Sequence, residues 1–173
     1  MQITINPYDK KSIEKAIKQL NEYKNKLAEK EAEMVRRVAQ LGLNVASVKF
    51  NQALYAGTND VTCRVEQNGT TAIIYAEGEA VGFIEFGTGV RHPEHIGFAD
   101  YKPPEHGTYG KGLGKNPGWW DYYGDPGNKG HTIHTRKGPK VRTSGNDPAY
   151  AMFDAITSMV EQIAQIAREV WKE

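Results

Sequence analysis

The chain has 173 residues, of which 39% are hydrophobic and 25% are charged, and its formal net charge is +1. These values are typical of a soluble globular protein, and the length favours a single domain with one core. The single cysteine, Cys63, excludes an intrachain disulfide and a cysteine-rich zinc site. No apolar run reaches the ~20 residues that span a bilayer, and the first residues lack the pattern of a secretory signal.

The small net charge conceals a segregation of charge along the chain. Residues 1–45 carry a net charge of +3, residues 46–90 of −3, residues 91–145 of +4 and residues 146–173 of −3. This alternation is weak evidence for a nucleic-acid-binding protein, which usually has a stronger basic bias. It suits a subunit that pairs acidic surfaces with basic surfaces of its neighbours, although ordinary solvated surfaces give the same pattern.

A long amphipathic helix is the first predicted element. Asn6 is a typical N-cap, Pro7 suits the first helical turn, and Gly42 is a typical helix end. We expect the apolar stripe to pack on the domain's own sheet and C-terminal helix, and a helix of another subunit is the alternative. The stripe consists of Ile13, Ile17, Leu20, Leu27, Met34, Val38 and Leu41.

Short strands are predicted next, within residues 46–90. Residues 45–54 alternate weakly between apolar and polar types, and residues 61–66 alternate clearly. Asn68-Gly69 favours a tight hairpin turn, so residues 71–75 are predicted to form the return strand. The apolar segment 81–86 that follows is predicted to be a short helix or a fourth strand.

That last segment contains one carboxylate and ends in a glycine-rich turn. Its residues Glu85-Phe86-Gly87-Thr88-Gly89 are followed by Val90-Arg91-His92-Pro93. The glycines permit a sharp reversal of the backbone. We expect Glu85 to form a structural ion pair, with Arg91 as the candidate partner, or to pair across a subunit interface. A solvent-facing position for Glu85 is the alternative.

Residues 91–145 are predicted to be a long inserted loop rich in glycine, proline and aromatic residues. Loops of this length are usually functional or disordered, and the aromatic content argues against simple disorder. Four aromatic residues form a cluster that is predicted to be an interface anchor or a small satellite core, with base or sugar stacking as a third possibility. They are Trp119, Trp120, Tyr122 and Tyr123.

Histidines in the same segment are weak evidence for a metal site. The pairs His92 with His95 and His131 with His134 match no zinc motif, and a strand would place His131 and His134 on opposite faces. No nucleophile-elbow pattern occurs. We therefore expect no catalytic residue, cofactor or metal. The alternatives are a metal-dependent hydrolase or nuclease that uses the His-rich loop, and a nucleic-acid-binding module that uses the Trp/Tyr loop.

A second amphipathic helix is predicted in residues 146–173. Asp147 is the expected N-cap and Pro148 the expected first helical residue. We expect the core to bury three members of the apolar stripe in particular, namely Met152, Ile156 and Ile163. The full stripe, at alternating spacings of four and three, consists of Met152, Ile156, Met159, Ile163, Ile166 and Val170. Together these elements predict an α+β domain, in which the two long helices pack on a small, mainly antiparallel sheet.

Two stretches of the sequence resemble the HK97 gp10-like family, the tail-completion or head–tail joining proteins of tailed bacteriophages. The first is Glu85-Phe86-Gly87-Thr88-Gly89 followed by His92-Pro93. The second is Asp147-Pro148-Ala149-Tyr150-Ala151-Met152-Phe153-Asp154-Ala155, which is similar to the proline-marked start of the family's closing helix. The order of the predicted elements also fits the family.

The resemblance implies a virion structural protein of the neck or tail terminus, in a phage or a prophage, with no enzymatic activity. Such a protein acts by closing into a homo-oligomeric ring and docking on a head–tail adaptor or a tail tube protein. Its expected location is the virion, and the bacterial host cytoplasm during assembly. The expected partners include no membrane and no specific nucleic acid.

Overall fold

A computed structural model describes residues 3–89 and 116–172 and confirms the predicted α+β fold. Three helices occur in these residues: α1 (Lys10–Gln52), α2 (Val81–Phe86) and α3 (Ala151–Lys172). The strands there are β1 (Thr62–Asn68), β2 (Thr71–Glu77), β3 (Thr88–Gly89), β4 (Trp120–Tyr122), β5 (His131–Thr135), β6 (Gly138–Thr143) and β7 (Gly145–Asn146). They form three antiparallel sheets with the orders β1–β2, β3–β7 and β4–β6–β5.

Helix α1 begins three residues later than the sequence predicts. Asp9 is its N-cap, and the Asp9 carboxylate accepts a hydrogen bond from the Lys11 N–H at 3.0 Å. Asn6 instead accepts a hydrogen bond from the Tyr8 N–H at 3.1 Å, which makes residues 6–9 a turn that leads into the helix. The prediction of Asn6 as the cap was wrong because two side chains able to cap lie close together.

Helix α1 also continues ten residues beyond its predicted end at Gly42. The predicted strand over residues 45–54 is therefore wrong, since the helix runs to Gln52. Gly42 is buried inside the helix, and a Cβ at this position would lie 2.6 Å from both Ile74 Cδ1 and Met159 Sδ. The glycine thus allows β2 and α3 to approach the helix closely, and it does not end the helix.

Helix α3 lies antiparallel along the C-terminal part of α1. Near the start of α3, Lys49 Nζ lies 2.5 Å from Asp154 Oδ2, and near its end the Lys30 ammonium donates to the Val170 carbonyl oxygen at 2.6 Å. Residues 10–29 of α1 therefore extend beyond the end of α3. The central core is located where the three helices meet, and it contains Ala46, Phe50, Ala80, Ile84, Ala151 and Ala155.

The apolar stripe of α3 is only partly buried. Ile156 and Ile163, which we expected in the core, are 53% and 44% exposed, so that expectation was wrong for both. The face that α3 buries near its start consists of Ala151 and Ala155. Small side chains let two helices lie close together, and the larger side chains of the stripe then line the edge of the contact.

The predicted β1–β2 hairpin is confirmed. Asn68 pairs with Thr71, and Gly69 in the turn has a φ of +59°, a backbone conformation that glycine adopts without strain. The segment predicted as a helix or a fourth strand is helix α2. Within residues 3–89 and 116–172, no helix has both the length and the apolar composition needed to cross a membrane.

Residues 116–145, which belong to the predicted inserted loop, contain regular structure. Strands β4, β5 and β6 form a three-stranded sheet there, so the prediction of a loop was wrong for this part of the segment. The turn that follows β4 attaches the sheet to the end of α1. The Asn128 side-chain amide donates to Ala53 O at 3.0 Å, and the Thr58 hydroxyl donates to Asp125 Oδ2 at 3.0 Å.

Candidate interaction surfaces

The two stretches of sequence that resemble the phage family contact each other in the fold. Strand β3 pairs with β7, with Thr88 opposite Asn146 and Gly89 opposite Gly145. The Ala149 N–H also donates to Ile84 O at 2.8 Å. We call this unit, residues 84–89 together with residues 145–153, the junction.

Glu85 is the central side chain of the junction. It is only 3% exposed, and its carboxylate accepts hydrogen bonds from the N–H groups of Met152 at 3.0 Å and Phe153 at 3.2 Å. The first N–H groups of a helix have no partner within the helix, and the helix dipole favours a negative charge beside them. Burial raises the pKa of Glu85 above its usual range. Glu85 therefore caps α3 from a distant part of the chain.

The sequence predicted different partners at both ends of this contact. Arg91, the expected partner of Glu85, lies outside the described residues, and backbone N–H groups hold the Glu85 carboxylate. Asp147, the expected cap of α3, lies four residues before the helix begins and is exposed. Predicting the cap from local spacing was wrong here because the capping side chain is 66 residues before Ala151 in the sequence.

The other candidate residues of the first stretch close the junction. Phe86 ends α2 and is half-buried, and Gly87 follows with a φ of +74°. The Thr88 hydroxyl donates to Asn146 Oδ1 at 2.7 Å. Gly145 has a φ of +95°, and a Cβ there would collide with the backbone of residues 88 and 89. These residues thus position α2 against α3.

The predicted aromatic cluster is divided between a sheet and a surface. Trp120 and Tyr122 lie on β4 and are half-buried. Trp119 and Tyr123 flank the strand and are 39% and 61% exposed. Because side chains alternate along a strand, Trp119 and Tyr123 share one face with Asp121, and Trp120 and Tyr122 lie on the other.

Basic side chains of β6 lie over both exposed rings. The Arg142 guanidinium lies 3.6 Å from the ring centre of Trp119, and Lys140 Nζ lies 4.9 Å from that of Tyr123. Arg142 also donates two hydrogen bonds to Asp121, at 2.8 and 3.0 Å, and this pairing lowers the pKa of Asp121. One face of each exposed ring is therefore already in contact with a cation.

The two histidines that the structure describes do not form part of a metal-binding cluster. His131 and His134 lie on β5 and are exposed, whereas His92, His95 and His106 lie outside the described residues. Among the residues that the structure describes, no group of three or more His, Cys, Asp or Glu side chains is placed to hold a metal ion.

An apolar groove lies between α1, β2 and α3, and it was not predicted from the sequence. Its volume is about 370 Å³, and its walls include Met34, Val38, Ile73, Ile156, Met159 and Ile163. Val160, which is 69% exposed, lies on the same side of α3 as Ile156 and Ile163. We call this surface, with Val160 at its edge, the groove. The wide apolar face of α3 was the available signal, and we interpreted it as one buried stripe.

The N-terminal half of α1 exposes a second apolar surface. We call residues 10–29 the arm. Its six lysines and three glutamates surround the exposed apolar stripe, and Lys10 with Glu14 and Lys18 with Glu22 form surface ion pairs. The stripe consists of Ile13, Ile17, Leu20 and Tyr23, which are 39%, 53%, 52% and 46% exposed.

Comparison with known proteins found no relative beside which the junction, the groove or the arm can be set. The resemblance of the junction segments to the tail-completion proteins therefore depends on the residues quoted above. No protein-family model matches the chain, and no curated protein or solved structure matches it.

Proposed function

We propose that this chain is a structural subunit of a bacteriophage or prophage virion, located at the neck or the tail terminus. It completes tails or joins heads to tails by forming a ring and docking on a head–tail adaptor or a tail tube protein. Its work is mechanical and involves no catalytic step.

The observation that carries this proposal is the contact between the two stretches of resemblance. They are separated by more than 50 residues in the sequence, yet Glu85 of the first caps the helix that the second begins. A local structure shared with the family predicts that the two likenesses lie in contact. Their meeting supports the interpretation that they belong to one local structure of the kind the family uses.

The exposed apolar surfaces support an assembly role as well. Scattered apolar side chains are normal on protein surfaces, but contiguous apolar patches mark interaction sites. Here the exposed apolar residues of the arm lie along one stripe of a helix, and those of the groove surround a concave surface. Both arrangements favour a protein whose surface contacts other subunits.

Disruption of the gene in its phage or prophage tests the proposal. We expect electron microscopy of the resulting lysate to reveal DNA-filled heads and separate tails, and a plasmid copy of the gene to restore joined particles. Mass spectrometry of purified virions from the undisrupted phage should detect the chain. Joined, infectious particles made without the gene would overturn the proposal.

A second candidate function is supported by the β5–β6 hairpin. This hairpin, residues 131–143, carries His131, His134, Arg136, Lys137, Lys140 and Arg142 and has no acidic residue. A basic surface of this kind favours contact with nucleic-acid phosphates. Fluorescence anisotropy with a labelled single-stranded oligonucleotide tests it, because phosphate contacts predict binding that weakens steeply as the salt concentration rises.

A further inference from the structure

We propose that the arm of one copy of this chain docks in the groove of a second copy, in a head-to-tail contact. This inference deepens the proposed function and rests on it, because it names the two surfaces through which a ring closes. The argument depends on the exposure, position, spacing and charge of the two surfaces.

The arm cannot occupy the groove of its own chain. Both belong to the same continuous helix, in which Met34 and Val38 form one wall of the groove. Ile17 and Met34 are 17 residues apart, which corresponds to about 25 Å along a helix axis. The contact between Lys30 and the Val170 carbonyl places the C-terminal end of α3 beside the last residues of the arm. An arm that docks in a groove must therefore come from another copy.

The spacing of the two exposed stripes is the same. Ile13, Ile17 and Leu20 on the arm follow the i, i+4, i+7 pattern of a single helix face. Three residues at the edge of the groove repeat that pattern on α3, namely Ile156, Val160 and Ile163. Side chains in matching rows of this kind interdigitate when two helices pack.

The segments that carry the two surfaces have opposite net charges. The arm has six lysines against three glutamates. The two segments that supply β2 and α3 are acidic, because residues 46–89 carry five acidic and two basic side chains and residues 146–172 carry four acidic and two basic ones. Opposite charges around an apolar contact favour the correct orientation and speed association.

The contact uses two different surfaces, and this has a consequence for assembly. After one arm docks in one groove, each end of the pair still has an unused arm or an unused groove. Contacts of this heterologous type continue until they close into a ring or extend into a filament. A ring therefore needs no further interface when the rotation between successive copies closes.

Two double variants and their mixture test the contact. The arm variant combines Ile17→Asp with Leu20→Asp, and the groove variant combines Ile156→Asp with Val160→Asp. All four positions are already half-exposed or more, so the fold should tolerate a carboxylate at each of them. We expect each variant alone to sediment as a monomer where the unchanged chain forms higher oligomers. An equal mixture should form a 1:1 dimer and stop there, because it has one intact arm and one intact groove.

Matched controls separate this contact from a general effect of charge. Asn25→Asp with Lys26→Gln makes the arm two charge units more negative away from its stripe, as the arm variant does on it, and Gln162→Glu with Gln165→Glu gives the same charge change on α3 away from its stripe. Both controls should associate like the unchanged chain. Circular dichroism should give the same helix content for all variants, which excludes unfolding as the cause of lost association.

Three results would overturn the proposal. A groove variant that still self-associates indicates arm-to-arm pairing, a mixture that stays monomeric removes the contact, and an unchanged chain that is monomeric at its highest soluble concentration has no such interface. The gene disruption gives an independent readout. If virions remain intact after the disruption while the mixture forms dimers, the contact stands and the virion role fails. If the disruption separates heads from tails while the mixture stays monomeric, the virion role stands and this contact is rejected.

Discussion

The two halves of helix α1 have the same apolar periodicity and different surroundings. Residues 30–52 are covered by α3 and the β1–β2 hairpin, whereas residues 10–29 extend into solvent. The covered half buries Ala39, Gly42, Ala46 and Phe50, while the arm buries Ala16 and leaves its isoleucines, its tyrosine and Leu20 largely exposed. Periodicity therefore identifies an apolar face, and only the tertiary contacts of that face distinguish a helix covered within the chain from one open to a partner.

Truncating one large side chain in each half gives the strongest test of this comparison. Phe50 is 1% exposed, so Phe50→Ala should lower the free energy of unfolding by ~3–5 kcal/mol. Leu20→Ala in the arm should change it by less than ~0.5 kcal/mol. Urea unfolding followed by circular dichroism measures both. Similar losses for the two variants would mean that the arm is covered within the monomer.

Substituting Glu85, which caps α3, tests whether the packing of α3 on α1 depends on the junction. In Glu85→Gln an amide NH₂ group replaces one of the two oxygens that accept the Met152 and Phe153 N–H groups. A buried donor then lacks its acceptor, which typically costs about 1–3 kcal/mol. The exposed Glu79→Gln is the control and should be neutral within ~0.5 kcal/mol. Equal thermal midpoints for the two variants would contradict the capping role.

Glycine-to-alanine changes sharpen the comparison further. Gly42→Ala gains helix propensity of ~1 kcal/mol but displaces Ile74 and Met159, so we expect a net loss of about 1 kcal/mol. Gly82 lies in the exposed part of α2, and a Cβ there has no neighbour within 4 Å. Gly82→Ala should therefore stabilise the protein by up to ~1 kcal/mol. The same sign for both changes in a thermal melt would contradict the close approach at Gly42.

The smallest expected effects are the pH dependences of two glutamates. Arg36 and Arg37 lower the pKa of Glu33 to about 2, so its stabilisation is present above the unfolded value of ~4.3 and is lost as the pH falls toward 2. Burial raises the pKa of Glu85, so the folded state takes up this proton first, and the contribution of Glu85 to stability rises as the pH falls toward ~4.3. The unfolding free energies of Glu33→Gln, Glu85→Gln and the unchanged chain, measured between pH 7 and pH 3, should separate these opposite slopes.

The sequence predicted the elements of the fold better than their ends and partners. The long helix, the hairpin and the C-terminal helix follow from local periodicity and turn residues, whereas for residues 81–86 the sequence predicted either a helix or a strand. The end of α1 was misplaced because Gly42 makes room for Ile74 and Met159, which are distant in the sequence, and does not end the helix. The three-stranded sheet was missed because β4 has only three residues and β6 contains Pro139, and neither has an extended alternating pattern.

The candidate surfaces were predictable to different degrees. Trp119 and Tyr123 were identified from composition alone, because clustered aromatic residues are unusual in a loop. The groove required three elements from separate parts of the chain, so no local pattern could indicate it. Glu85 was recognised as exceptional, but its partners were not predicted. They are backbone N–H groups, which nearly every residue has, so the amino-acid sequence does not distinguish them.

The separation of α1 and α3 along the chain has a consequence for synthesis on the ribosome. About 100 residues lie between Gln52 and Ala151. At translation rates of ~5–20 residues per second, roughly 5–20 seconds pass before the helix that covers residues 30–52 emerges. During that interval the nascent chain displays the apolar face of its longest helix, and prematurely terminated chains display it permanently. A chaperone that binds apolar helices would therefore have its longest opportunity early in synthesis, before the last fifth of the chain is made.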